Sequence, residues 1–250
     1  MNILLTSEGI RPSKFIQALL LCSFILLPFS QLKAQNNQTE QLVWLQYKAK
    51  IGLSGPFSLT LDLQHRRQNF LEYSGQQVVR PGITYALRHG VNLTVGTALF
   101  WHNISASEAV YRFEARPYTF LEWKQPLGNL MITHRTRFEL HYNRKTSNGA
   151  IEEGFDFNYR AGHKMGLAIP IRIAGTADWR LELYDEVLIN FGKRITVNHL
   201  DQNRMYAGIK KLLTDDLNVK LGYMYIFVPT GNPEVRVHQH IVVLGVSQNL

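Results

Sequence analysis

Between Leu217 and Phe227 the chain reads LNVKLGYMYIF, and its side chains alternate with a period of two. Leu217, Val219, Leu221, Tyr223, Tyr225 and Phe227 fall on one face. Asn218, Lys220 and Gly222 fall on the other, joined by Met224 and Ile226 near the end. A helix repeats every 3.6 residues and cannot hold this pattern; a pleated strand imposes it. With Gln202–Leu213 before it and a tight turn at Thr214-Asp215-Asp216, the segment predicts a long β-hairpin.

The same alternation recurs along the chain. It predicts strands over Gln41–Leu53, Phe57–Arg66, Val78–Arg88, Val91–Trp101, Tyr111–Lys124, Leu130–Tyr142, Phe157–Ile169, Asp178–Ile189 and Val235–Ser247, besides the two of the hairpin. Pro81 lacks a donor and predicts a strand start, a bulge or a local break in a ladder. Asp185 interrupts an apolar face and predicts a bulge or a strand rising out of lipid. Connections alternate between short and long. The segment from Asn143 to Asp156 reads as a polar loop.

The N-terminus is a different kind of sequence. Arg11 and Lys14 precede an apolar core from Phe15 to Phe29, and Leu32-Lys33-Ala34 ends in a small residue before Gln35. This is the pattern of a secretory signal peptide over residues 1–34, with one mature domain over 35–250. The apolar core is too short for a comfortable membrane helix. The only cysteine, Cys22, lies in this leader, which excludes a disulfide framework and a cysteine metal site in the mature chain. The chain carries a formal charge of +8. Arg11, Lys14 and Lys33 against Glu8 account for two of it, and no basic run or aromatic RNA signature points to nucleic acid.

Strands of about ten residues are long for a soluble sandwich and match the span of a tilted strand across a bilayer. Aromatic residues at strand ends (Trp44, Phe57, Tyr85, Trp101, Trp123, Tyr142, Tyr159, Trp179 and Phe227) fit interfacial girdles. Strands cross lipid only as a closed barrel, because an open edge leaves backbone groups unpaired. The fold expected is therefore all-β: an antiparallel transmembrane β-barrel of about 10–12 strands in the cell outer membrane. Its partners would be outer-membrane lipid and the barrel-assembly machinery. A soluble periplasmic sandwich or lipocalin-like barrel is the alternative. Eleven strands are legible, against the even number of bacterial barrels. If both termini are periplasmic, the strands from Phe57 onward give ten, and either Gln41–Leu53 is an extra strand or a twelfth is hidden.

Several runs carry a resemblance. FSLTLDLQHR at Phe57–Arg66, RPGITYAL at Arg80–Leu87, RTRFEL at Arg135–Leu140, DEVLIN at Asp185–Asn190, and DQNRMYAGI at Asp201–Ile209 followed by VKLGYMY resemble the domain-of-unknown-function family 2490 (DUF 2490). The resemblance implies an exported barrel of Gram-negative bacteria. The family has no established activity, so it implies no catalytic residue. Leu250 departs from common barrels, which often end on an aromatic assembly signal.

Candidate chemistry lies on the polar faces. Arg112, Glu114 and Arg116 share one strand face, and Arg135, Arg137 and Glu139 share the next. Arg180, Glu182 and Glu186 follow, with Arg204 beyond. If the apolar faces meet lipid, these residues form a lumen ionic network through cross-strand pairs. It would serve either as packing or, since arginine outnumbers glutamate, as a small anion-preferring passage. The segment FWHNISASE offers His102, Ser105 and Glu108 as weak candidates for a catalytic triad of a lipid-modifying enzyme at the extracellular rim. Three-residue spacing on a strand sends these side chains to opposite faces, so a curled loop would be needed. His238 and His240 share a face but lack a third ligand, so no metal is expected. No phosphate loop or nucleotide fingerprint points to a cofactor.

Overall fold

In the computed structural model the chain divides into two units, Met1–Gln35 and Asn36–Leu250. The structure describes residues 36–250 except 106–109, 148, 174, 194, 196–197 and 233. The expected leader therefore lies outside the described residues.

Eleven strands follow in order: β1 Asn36–Gly52, β2 Phe57–Gln68, β3 Tyr73–Ala86, β4 Asn92–Asn103, β5 Tyr111–Leu127, β6 Leu130–Ser147, β7 Ala150–Ile173, β8 Thr176–Phe191, β9 Leu200–Leu212, β10 Leu217–Pro229 and β11 Val235–Asn249. They close a barrel in which each strand pairs with its sequence neighbour and β1 pairs with β11. The neighbour pairings are antiparallel, and the closing one is parallel. An odd count requires this, because alternating directions leave the first and last strands running the same way. The expected extra strand is neither extra nor matched by a hidden twelfth. It is β1, and it seals the barrel.

Parallel closure also removes the condition that the termini share one side. Asn36 pairs with Val235, and Lys50 with Asn249. The beginning of β1 therefore sits at one end of the barrel and Leu250 at the other. The Leu250 end, called here the turn end, carries the connections at 53–56, 87–91, 128–129, 174–175 and 213–216. Leu250 is tied there by its N–H to the Lys50 carbonyl (2.7 Å) and by its carbonyl to Gly52 N–H (2.9 Å). The opposite, loop end carries 69–72, 104–110, 148–149, 192–199 and 230–234.

The expected polar loop 143–156 is instead an extension of one hairpin. β6 runs to Ser147 and β7 starts at Ala150, with a bulge between Arg144 and Thr146. Past the apolar belt both faces of a strand meet water, so the alternation that betrays a strand disappears while the ladder continues. Pro81 does break the ladder. The β3–β4 pairing skips from Val79↔Leu99 to Gly82↔Gly96, and the Tyr118 hydroxyl donates to the Pro81 carbonyl at 3.0 Å. Asp185 is not itself at a bulge. It accepts from Asn203 Nδ2 at 2.8 Å, and the β8–β9 register shifts later, between Leu188 and Ile189.

Strand parity decides which side chains meet the interior. Outward positions are apolar and exposed, including Leu45, Leu59, Ile83, Val95, Phe138, Leu221 and Leu244. Inward positions form the core. One apolar cluster joins Leu42, Trp44, Tyr206, Met224, Ile226, Ile241 and Val243, and a second joins Val78, Ala98, Phe100, Tyr118 and Phe120. Trp44 is thus no part of an outer girdle. It shares the parity of Gln46 and Lys48 and is 4% exposed. Phe57 and Tyr85 do lie outside, in contact at 5.0 Å between ring centroids.

Candidate functional site

The inward face carries charge between the two apolar clusters. Glu114, Glu139, Glu186, Arg137, Arg160 and His141 are all buried. A buried charge is tolerated when other charges and donors compensate it, and these residues pair with one another in a continuous chain, although Arg137 Nε, Glu139 Oε1 and His141 Nε2 find no hydrogen-bond partner among the described residues.

Glu114 on β5 receives Arg116 of its own strand through both oxygens, His102 Nε2 of β4 at 2.7 Å and His141 Nδ1 of β6 at 3.1 Å. His141 Nε2 lies 3.6 Å from Glu139. Glu139 takes Arg160 of β7, its register partner, at 2.6 Å, and Arg137 at 3.6 Å. Arg160 continues to Asp201 of β9 at 2.8 Å. Glu186 on β8 collects three guanidinium groups: Arg135 at 3.0 Å, Arg137 in closer contact, and Arg204 at 3.5 Å. Inward side chains of alternate strands meet here across the strand between them, as Arg137 and Glu186 do over β7.

Of the residues singled out from sequence, Glu114, Arg116, Arg135, Arg137, Glu139, Glu186 and Arg204 are brought together in this chain. Glu182 stands apart and pairs with Lys210 at 3.0 Å. Arg180 is exposed near the turn end of β8, and Arg112 is half-buried near the loop end of β5. Arg116 does not face the β6 arginines across the ladder. The β5–β6 pairing skips from Ala115↔Tyr142 to Tyr118↔Glu139, around Pro117, which has no N–H to give.

Sequence reasoning left Arg160, His141, Asp201 and the pair Arg80–Asp62, at 2.9 Å, out of the network. Arg160, His141, Asp62 and Arg80 sit at the polar parity of strands it had already placed, but parity alone does not say which of them meet across the lumen. Asp201 lies just before Gln202, where the sequence-predicted strand begins.

Of the triad candidates, His102 and Ser105 fall within the described residues. His102 points into the barrel, where Nε2 faces Glu114 and Nδ1 lies 2.6 Å from the Gln76 amide nitrogen. With both ring nitrogens engaged by lumen partners, the imidazole is not presented to Ser105 as a base. Ser105 lies beyond the end of β4, its backbone N–H donating to Asn103 Oδ1 at 3.2 Å. Glu108 lies outside the described residues. His238 and His240 face outward and meet the hydroxyls of Tyr225 (2.6 Å) and Tyr223 (2.5 Å). Among the described residues no group of three potential ligands could hold a metal ion.

Three cavities follow one another along the lumen. The one at the turn end has about 300 Å³, the middle one about 410 Å³ and the one toward the loop end about 250 Å³. Asp62, Arg80 and Arg135 line both the first and second. Trp44, Arg66 and Arg204 line both the second and third. The middle cavity also exposes Lys48, Lys164 and Lys220, for which no carboxylate partner lies within 4 Å among the described residues. The lumen wall therefore offers a row of small, polar, predominantly cationic chambers.

Comparison with known proteins agrees with this architecture. The chain is similar to a solved NanC porin, determined in a rhombohedral crystal form, at 12% identity and a TM-score of 0.50, over 81% of this chain and 91% of that one. At that identity the likeness is one of fold. No curated protein matches the chain. A family model described as "Protein of unknown function (DUF2490)" matches residues 41–237, most of the barrel, and the chain belongs to that family.

Proposed function

We propose that this chain is an exported outer-membrane β-barrel, freed of residues 1–34 on export, whose lumen binds or passes small solutes and performs no catalysis. One observation carries the reading: the barrel is apolar where a soluble protein meets water and charged where a soluble barrel would be packed. Exposed outward side chains such as Leu59, Ile83, Val95, Leu183 and Leu221 form the belt that lipid requires. Lipid and the assembly machinery of the outer membrane are the partners this reading implies.

The test is the electrophoretic mobility of the protein from the outer-membrane fraction, before and after boiling. A folded barrel resists cold detergent and shifts on heating. Recovery from the soluble periplasm with no shift would overturn the proposal.

A passage that prefers anions is a second reading, favoured by Lys48, Lys164 and Lys220 in the wall of the middle cavity. It requires discrete conductance steps in a planar bilayer, with a reversal potential of anionic sign under a salt gradient. That sign should weaken when Lys164 and Lys220 are both replaced by glutamine.

A further inference from the structure

The cavity toward the loop end differs from its neighbours. Three arginines from three strands line it, Arg66 of β2, Arg116 of β5 and Arg204 of β9, and among the described residues no aspartate or glutamate does. The rest of its polar wall is mostly amide, including Gln76 and Gln202, with the His102 imidazole and the Trp44 indole. Arg116 and Arg204 are partly neutralised from behind, by Glu114 and Glu186. Arg66 is not. It makes no ion pair among the described residues, and its guanidinium donates to the amide oxygens of Gln64 (2.6 and 3.0 Å) and Gln76. The same group lies flat over the Trp44 ring, 3.7 Å from its centroid.

Amide oxygens and an aromatic face orient a guanidinium without cancelling its charge. Arg204 is likewise oriented by an amide, Gln202 Oε1 at 2.7 and 2.9 Å, with Glu186 at 3.5 Å partly offsetting its charge. Two pre-oriented cations thus face a cavity with no counter-charge in its wall. A further donor shares that wall: the buried indole Nε1 of Trp44 has no acceptor among the described residues. Charge and donors left over in a shielded place favour an acceptor with a negative charge.

We propose that this cavity is a binding site for a small free oxyanion, a carboxylate or phosphate, held chiefly by Arg66 and Arg204. The proposal rests on the lumen reading above and gives it a ligand class. A volume of about 250 Å³ has room for several waters and so for a compact organic acid or a phosphate. Planar guanidinium groups present paired N–H donors that match the two oxygens of either group. The site is also where the passage is shared between middle and loop-end cavities, so an anion bound here would sit astride the path.

The experiment is calorimetric titration of the purified, refolded full-length mature barrel in detergent, with inorganic phosphate and with succinate as probes at constant ionic strength. Saturable binding of either probe is expected, and the stronger of the two identifies the anion. Arg66→Gln should weaken binding by about tenfold or more, as expected when one charge-assisted contact is lost. Arg180→Gln, at the turn-end rim, should leave it unchanged. Because Arg66→Gln also removes the guanidinium from the Trp44 ring, Arg66→Lys is titrated beside it. Lysine keeps the charge without the fork, so intermediate affinity is expected. Absence of saturable binding by both probes overturns the site. So does unaltered affinity in Arg66→Gln, or binding abolished by Lys164→Gln instead. Titration in micelles does not depend on an open passage, so a barrel that binds without conducting refutes the passage and keeps the site. One that conducts without binding does the reverse.

Discussion

Removing the charge of Glu186 tests whether the lumen network is held together by its ion pairs. Its side chain is 3% exposed and receives Arg135, Arg137 and Arg204. At an effective dielectric constant of 20 and a charge separation of about 4 Å, each pair is worth ~4 kcal/mol before desolvation is counted. Arg135 and Arg204 remain 15% and 13% exposed, so water screens their share, whereas Arg137, at 4%, is shielded. In Glu186→Gln, three neighbouring guanidinium groups would lose their common counter-charge, and among the described residues only Arg137 would retain a carboxylate within 4 Å, Glu139 at 3.6 Å. Breaking a buried pair from one side costs about 3–5 kcal/mol, and that is the loss expected here. The assay is equilibrium urea unfolding of the refolded barrel in phospholipid vesicles, followed by tryptophan fluorescence. A paired replacement, Glu186→Leu with Arg137→Leu, should cost less than the sum of its two singles, because neither leaves its partner charged and alone. A change under about 0.5 kcal/mol for Glu186→Gln, the size typical of an exposed surface site, would refute the reasoning. It would mean that lumen water already solvates these groups.

Other consequences follow from the same geometry. A Cβ added at Gly222 would come within 2.5 Å of the Tyr206 ring, which lies over Gly222 and Gly208 and stacks on Tyr184. Gly222→Ala should lower stability by about 1–3 kcal/mol and lose most of that effect in a Tyr206→Ala background; strictly additive unfolding midpoints would contradict the contact. Parallel closure puts the start of β1 and Leu250 at opposite ends, so an epitope beside Asn36 should be labelled on intact cells and one after Leu250 only after permeabilisation. Labelling of both, or neither, on intact cells would count against eleven strands. His102→Ala and Ser105→Ala should leave the lipid composition of the envelope unchanged by mass spectrometry, and disappearance of a modified lipid species in either would revive a catalytic role for that rim.

Much of the fold was legible because parity is local. The pleat sends neighbouring side chains to opposite faces wherever a strand forms, so Lys220 and Leu221 were assigned to opposite sides from sequence alone. The same rule put Glu114, Glu139 and Glu186 on interior faces. It failed at the hairpin beyond Tyr142, because water on both faces erases the contrast that reveals a strand. It also left Trp44 miscast as an interfacial aromatic, although its even position beside Gln46 and Lys48 already placed it inward.

What the sequence determined by itself was the strand alternation within the apolar belt, the sidedness of the residues there, and the resemblance to one family. Each is written in stretches of a few residues. Only the tertiary structure decided that eleven strands close through a parallel β1–β11 seam, that Arg160 completes Glu139, that His102 belongs to Glu114 rather than to Ser105, and that Arg66 and Arg204 share one cavity. Those facts depend on register around the whole barrel. Register sets which distant side chains meet inside it, and no local pattern of hydrophobicity encodes that meeting.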